Sequence, residues 1–219
     1  LPLLGGSLLI AAVAALVAVP LGVGAAIYLA EYAPERVRKV VKPVLEVLAG
    51  MPTIVLGFFA IETLTPALQS IGVLSTDRIF SGLSAGIVVG LLILPLVSSL
   101  SEEAIRAVPR SMREGAYGLG ATTPTVAMRI VLPAALSGIV AACVLGLARA
   151  VGETMAVTLA AGARPNLTAN PLDEMQTITS YIVQVVRGEA ARGSIQYGSI
   201  FAVGMLLFVA TFLINLVAI

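Results

Sequence analysis

An all-α bundle of membrane-spanning helices is the architecture that this sequence predicts. Hydrophobic residues make up 58% of its 219 residues, charged residues only 11%, and the mean hydropathy is +1.03. A soluble domain carries about twice that charged share, so lipid must be the solvent for most of the chain. The apolar residues also run in long blocks. A spanning helix needs about 20 of them in succession, and five stretches qualify: 3–30, 44–68, 80–100, 134–161 and 195–219.

Proline interrupts three of these spans, at Pro20, Pro52 and Pro95. Membrane helices tolerate such breaks where neighbouring helices satisfy the freed backbone groups, so packing kinks are expected there. In the third span Gly82, Gly86 and Gly90 recur at i, i+4, i+8 on one face, which lets another helix approach closely. Glu62, in the second span, is expected near the outer interface and carries no assigned role.

Four loops separate the spans. The first holds Arg36, Arg38, Lys39 and Lys42, and the third holds Arg106, Arg110, Arg113 and Arg129. The second holds Arg78, and the fourth holds Arg164, Arg187 and Arg192. Loops one and three alternate with two and four across the bilayer and carry eight basic residues against four, which places them in the cytoplasm. The visible N-terminus is then outside, so one further span is expected before Leu1.

Composition also excludes chemistries. A net charge of +1 implies neither nucleic acid nor an acidic partner. The single cysteine, Cys143, reads as small filler in an apolar run, and neither a metal nor a cofactor is expected. There is no histidine, so a serine–histidine intramembrane protease is ruled out; an aspartyl protease needs two membrane aspartates, but Asp77 and Asp173 fall in loops. No Gly-x-x-x-x-Gly-Lys-Ser/Thr run occurs, and the only lysines are Lys39 and Lys42. The chain is expected not to be an enzyme, and any ATP hydrolysis belongs to another polypeptide.

The third loop, 102–133, is the most structured of the four. Ser111-Met112-Arg113-Glu114 reads as a helix start with Ser111 as N-cap. Gly118 and Gly120 end that helix. Thr123-Pro124 opens a second helix, which runs toward Ile130 and stops or kinks near Pro133. Such a helix between two spans suits either an interfacial role or docking in a groove of a partner.

The spacing of Glu114-Gly115-Ala116, Gly120, Ile130, Leu132 and Pro133 resembles the cytoplasmic coupling motif of ABC importer permeases: EAA, three residues, Gly, nine residues, Ile-x-Leu-Pro. Gly115 in place of alanine is the one departure and weakens the helix by about 1 kcal/mol. The resemblance implies the type I ABC importer permease fold, also called MetI-like, and a loop that docks on an ATPase subunit. It further implies a multi-pass protein of a bacterial or archaeal plasma membrane.

In the fourth span Arg149 lies about 24 Å along the helix from Pro133, where an arginine costs at least about 2.5 kcal/mol. Glu153, four residues on, shares its face and can pair with it. Two readings stand: a self-neutralising pair that pins helices together, or an arginine that meets an anionic cargo and is balanced by the glutamate when empty. A guanidinium matches a tetrahedral oxyanion with two parallel hydrogen bonds, which an ammonium cannot. The same pair would also serve an ion-coupled anion transporter, although such a carrier has no use for a docking loop.

The run from Ala148 to Val157, ARAVGETMAV, is similar to the fourth-span signature of the permeases of the phosphate-specific transport system, the PstC type, and Gly50-Met51-Pro52-Thr53 resembles a turn of the same family. Arg149, Glu153 and Thr154 are thereby implied as substrate-pathway residues. The implied partners are a second, PstA-type permease, two PstB-type ATPase subunits, an extracytoplasmic PstS-type phosphate-binding protein, phosphate and membrane lipid. Permeases for sulfate, molybdate or phosphonate remain the rivals within the class.

Overall fold

The computed structural model describes residues 1–188 and 193–216; Arg192 and the last three residues of the expected fifth span lie outside them. Among the described residues every regular element is helical. Five helices are long and apolar enough to cross a membrane: Pro2–Tyr32, Thr53–Ser70, Gly82–Ala107, Thr123–Val151 and Ile195–Leu216.

The first span is α1 (Pro2–Ile27) continued by a π-helical turn, Tyr28–Tyr32; Pro20 lies inside α1 without ending it. Then comes a helix absent from the sequence reading, α2 (Glu35–Ala49), with one charged and one apolar face and no buried residue. The expected second span, 44–68, therefore starts too early. Its first residues belong to α2, and the spanning helix begins only after the break at Pro52, as α3 (Thr53–Phe59), a π turn (Ala60–Leu64) and α4 (Thr65–Ser70). Glu62 is midway along that span and exposed, not near its outer end.

The third span, α5 (Gly82–Ala107), is the centre of the bundle. Ala85, Val88, Val89, Leu92, Ile93 and Val97 are all at most 1% exposed. Ser81 caps its start by accepting from the Ser84 amide at 3.1 Å. The glycine face works as expected against α1: a methyl on Gly86 would come within 2.5 Å of the Val13 side chain, and one on Gly90 within 2.9 Å of Val17. Gly82 faces Met175 of the fourth loop instead.

Next come α6 (Arg110–Gly118) and α7 (Thr123–Val126), which runs through a π turn (Ala127–Val131) into α8 (Leu132–Val151) without a break. Ser111 is inside α6, whose N-cap position is Pro109, so it does not cap. Pro133 neither stops nor separates the helix, contrary to expectation. The three π turns explain this, since each ends two residues before a proline: Pro34, Pro66 and Pro133. A proline lacks the N–H owed to the carbonyl four residues back and crowds it with its ring. Widening the turn just upstream relieves that crowding, and at Pro66 and Pro133 the helix continues.

The expected fourth span, 134–161, is likewise displaced. Its helix starts in the third loop, at Thr123, and ends at Val151; a break at Gly152–Thr154 leads to the short α9 (Met155–Ala160). A long outer loop then leads to α10 (Ile178–Arg187) and to α11 (Ile195–Leu216), which has no buried residue.

Side-chain contacts fix which loops share an end. Arg113 of loop three bonds Glu31 at the end of the first span at 3.0 Å, and Glu102 near the end of the third takes Arg38 of loop one at 2.9 Å and Lys42 at 3.1 Å. At the opposite end Arg78 of loop two pairs with Asp173 of loop four at 2.6 Å. This is the alternation that the order of the spans predicts.

Candidate substrate pathway and coupling site

Arg149 occupies the last turn of α8, and Gly152 ends that helix, with its amide donating to the Ala148 carbonyl at 3.3 Å. Residue 153 is therefore no longer one turn above residue 149, and the expected Arg149–Glu153 ion pair is not made. Among the described residues Arg149 has neither an ion pair nor a side-chain hydrogen bond, and its side chain is exposed. The half-buried Glu153 turns its carboxylate to the start of α9, accepting from the Ala156 amide at a long 3.4 Å, the favourable end of a helix for an anion. Thr154 is half-buried at the N-cap position, donates to the Gly152 carbonyl at 3.3 Å, and accepts at its own carbonyl from the Thr158 hydroxyl at 2.6 Å.

Two contacts that sequence reasoning missed hold this break in place. The Thr179 hydroxyl of α10 donates to the Glu153 carbonyl at 2.7 Å. A methyl on Gly57 of α3 would come within 2.8 Å of Leu159, so α9 lies close against the second span. The Thr177-Ile178-Thr179-Ser180 run carried a signal, a capping threonine at the start of a helix, but nothing local pointed it at Glu153.

The second constellation lies at the end of the bundle that loops one and three share. The apolar members of the coupling motif belong to a packed core: Ala116 is buried with Ile105, Val108, Val126, Val131 and Ala135, and Ile130 and Leu132 pack against that cluster. Pro133 is exposed near the start of α8, while Glu114 and Gly115 are exposed and open, with nothing within 4 Å of a methyl placed on Gly115. Gly120 has φ +82°; the Ala121 amide bonds the Ala116 carbonyl at 3.1 Å, and the Gly120 amide bonds Tyr117 at 2.9 Å. These are the two bonds of a Schellman motif, with glycine at its left-handed position.

Arg113, read from sequence only as a loop charge, turns out to clamp this corner. Its guanidinium bonds the Val108 carbonyl at 2.7 Å, the Ile105 carbonyl at 2.8 Å and the Glu31 carboxylate at 3.0 Å, tying α6 to the inner ends of α5 and α1. Around it Met112, Tyr117 and Leu119 are exposed.

Comparison with known proteins gives these features a family. The profile described as "Binding-protein-dependent transport system inner membrane component" matches residues 18–218. The chain belongs to this family. A probable ABC transporter permease protein, YqgH, of Bacillus subtilis is 37% identical over 97% of this chain and 68% of its own length. The phosphate transport system permease protein PstC of Mesorhizobium japonicum is 34% identical over 97% of this chain and 70% of its own, and PstC 1 of Mycobacterium tuberculosis is 36% identical over 100% and 70%. Among solved structures, an inward-facing MetNI methionine ABC transporter superposes with a TM-score of 0.74 at 18% identity, covering 97% of this chain and 89% of the other. The fold is thus that of the MetI-like ABC importer permeases, and the family permease is a multi-pass protein of the plasma membrane.

The outer end of the permease is held by a compact polar cluster. Asp173 accepts from Arg78 at 2.6 Å and from the Thr168 hydroxyl at 2.9 Å, and Arg78 also donates to the Leu172 carbonyl at 2.9 Å. The Arg78 hydrogen bond, reinforced by that of Thr168, holds the Asp173 carboxyl below its ordinary range. Because its folded-state pKa is lowered, the stabilisation is present above the unfolded value of about 3.9 and is lost as pH falls through the folded one. Asp173→Asn is therefore expected to make the fourth loop more protease-sensitive at neutral pH, with the gap to wild type closing only below about pH 4. A gap that already closes near pH 6 would point to another group.

Proposed function

We propose that this permease carries inorganic phosphate into the cytoplasm as one membrane subunit of an ATP-driven, binding-protein-dependent importer. The observation that carries the reading is the exposed guanidinium of Arg149, without a partner among the described residues, at the end of a long apolar helix. A cation there cannot face hydrocarbon. Its face belongs to water or to a second permease, and a pathway between the two permeases meets both needs. The exposed carboxylate of Glu62, halfway along the second span, marks another face that lipid does not cover. Resemblance to the PstC proteins supports phosphate as the cargo.

In this reading the guanidinium, with five N–H donors uncommitted among the described residues, takes the oxyanion in a bidentate grip. Glu153 stands close by in sequence but is held to α9, so it tempers the field without occupying the arginine, and the anion binds weakly enough to leave. Thr154 adds a hydroxyl at the same break. A PstA-type permease supplies the other wall, a PstS-type protein delivers phosphate to the outer loops, and two PstB-type ATPases dock on the 114–133 corners. The chain itself catalyses no reaction. Alternating access follows because α7, the π turn and α8 form one continuous rod, so tilting the docked corner moves Arg149.

The test is uptake by the reconstituted four-component complex with labelled phosphate. Unlabelled phosphate should compete fully, and sulfate or molybdate should not. Full competition by sulfate or molybdate would replace phosphate as the cargo, and uptake independent of ATP would sink the reading.

A further inference from the structure

The amphipathic helix α2 is given no part by the transport mechanism. It is about 22 Å long, from 15 residues at 1.5 Å each. Both of its ends are tied to the inner ends of spans, by Ala33-Pro34 on one side and Gly50–Pro52 on the other. A helix so tethered runs along the membrane surface, not away from it. Tyr28 and Tyr32, exposed in the π turn just before it, mark the headgroup level at which tyrosines of membrane proteins collect.

The faces of α2 fit that placement. Val40, Val44 and Val47 recur at i, i+4, i+7 and are 64%, 61% and 72% exposed, so protein does not cover this apolar stripe in the described chain. Four cations and two acids leave the helix with net charge +2: Arg36, Arg38, Lys39 and Lys42 against Glu35 and Glu46. Two of the cations are already engaged. Arg38 and Lys42 reach Glu102 of α5, which is 1% exposed and also has Arg106 at 3.6 Å. This buried carboxylate latches one edge of α2 to the bundle and fixes its rotation. At 100° per residue, Arg36 and Lys39 then fall between the latched edge and the valine stripe. Lys39 makes only a 3.8 Å contact with Glu35, both exposed, and Arg36 has no ion pair among the described residues.

We infer that α2 is a docking surface for anionic phospholipid of the cytoplasmic leaflet. Val40, Val44 and Val47 seat at the acyl boundary, and Arg36 and Lys39 hold the lipid phosphate. An in-plane helix with an apolar face, a basic border and a fixed rotation has the form of an interfacial lipid-binding element. Each basic residue near an anionic surface favours it by about fivefold, so the pair gives about 25-fold enrichment of anionic over zwitterionic lipid.

The test uses the assembled importer in bilayers, with a fluorophore on Val44→Cys in a Cys143→Ala background. Brominated phosphatidylglycerol or brominated phosphatidylcholine, each titrated over the same range of content, serves as quencher. Phosphatidylglycerol should quench at much lower content, and Arg36→Gln with Lys39→Gln should bring the two lipids together while both still quench. Excess inorganic phosphate should change neither curve. Equal quenching in the wild type overturns the headgroup site, relief by free phosphate overturns the lipid assignment, and no quenching by either lipid in the intact complex overturns the membrane placement.

Discussion

Arg149→Ala is expected to leave the importer assembled and folded while lowering phosphate uptake by at least about 100-fold. Hydrogen bonds to a charged group contribute about 1.5–3 kcal/mol each. A bidentate grip is thus worth about 3–6 kcal/mol, or about 10² to 10⁴ in rate or affinity. The fold should not suffer, because among the described residues the side chain makes no ion pair or hydrogen bond and is exposed. Arg149→Lys keeps the charge but loses the two-pronged geometry, so its uptake should fall between the two. Uptake of labelled phosphate into proteoliposomes checks the transport, and co-purification of all subunits with an unchanged melting temperature checks the assembly. Normal uptake by Arg149→Ala refutes the pathway role. Loss of assembly together with uptake would instead restore the competing reading, an arginine that pins the subunits together.

Hydropathy made the number of spans legible, and with it the alternation of their loops, because it is a bulk property that needs no precise geometry. The span boundaries were less so. Val44–Val47 reads as the start of a spanning run, yet α2 uses those valines on one face of an amphipathic helix, and only the break at Pro52 separates it from the span. Pro133 looks like a stop by the local rule. The π turn at Ala127–Val131 absorbs the missing hydrogen bond, so the coupling helix and the fourth span are one piece. The Arg149–Glu153 spacing predicts a pair only if the helix continues. Nothing in the run ARAVGETMAV outweighs its apolar character, but Gly152 ends the helix, and Thr179 from 26 residues away fixes the Glu153 carbonyl. Ion pairs between distant segments, such as Arg113 with Glu31 or Glu102 with Arg38 and Lys42, are invisible to local pattern.

Gly120→Val is expected to uncouple ATP hydrolysis from transport while sparing the membrane bundle. A methyl at Gly120 meets nothing within 4 Å, so the effect cannot come from a clash. It comes from the backbone. With φ +82° an L-residue pays about 1–2 kcal/mol, and a β-branched one more, which lowers the population of the native corner by about 5- to 30-fold. That corner joins α6, clamped by Arg113 to α1 and α5, to α7 and the rod that ends at Arg149. If it relaxes, the exposed Met112, Tyr117 and Leu119 lose their fixed relation to the rod, and closure of the ATPases no longer tilts it. Two controls separate this from general damage. Gly118→Ala, in α6 with open space around it and no positive φ, should transport normally. Gly120→Asn, which tolerates the left-handed region, should keep much of the coupling. The readout is the ratio of phosphate imported to ATP hydrolysed in proteoliposomes. A wild-type ratio in Gly120→Val would mean that the corner transmits no motion, and the rod from Thr123 to Val151 would then be only a scaffold.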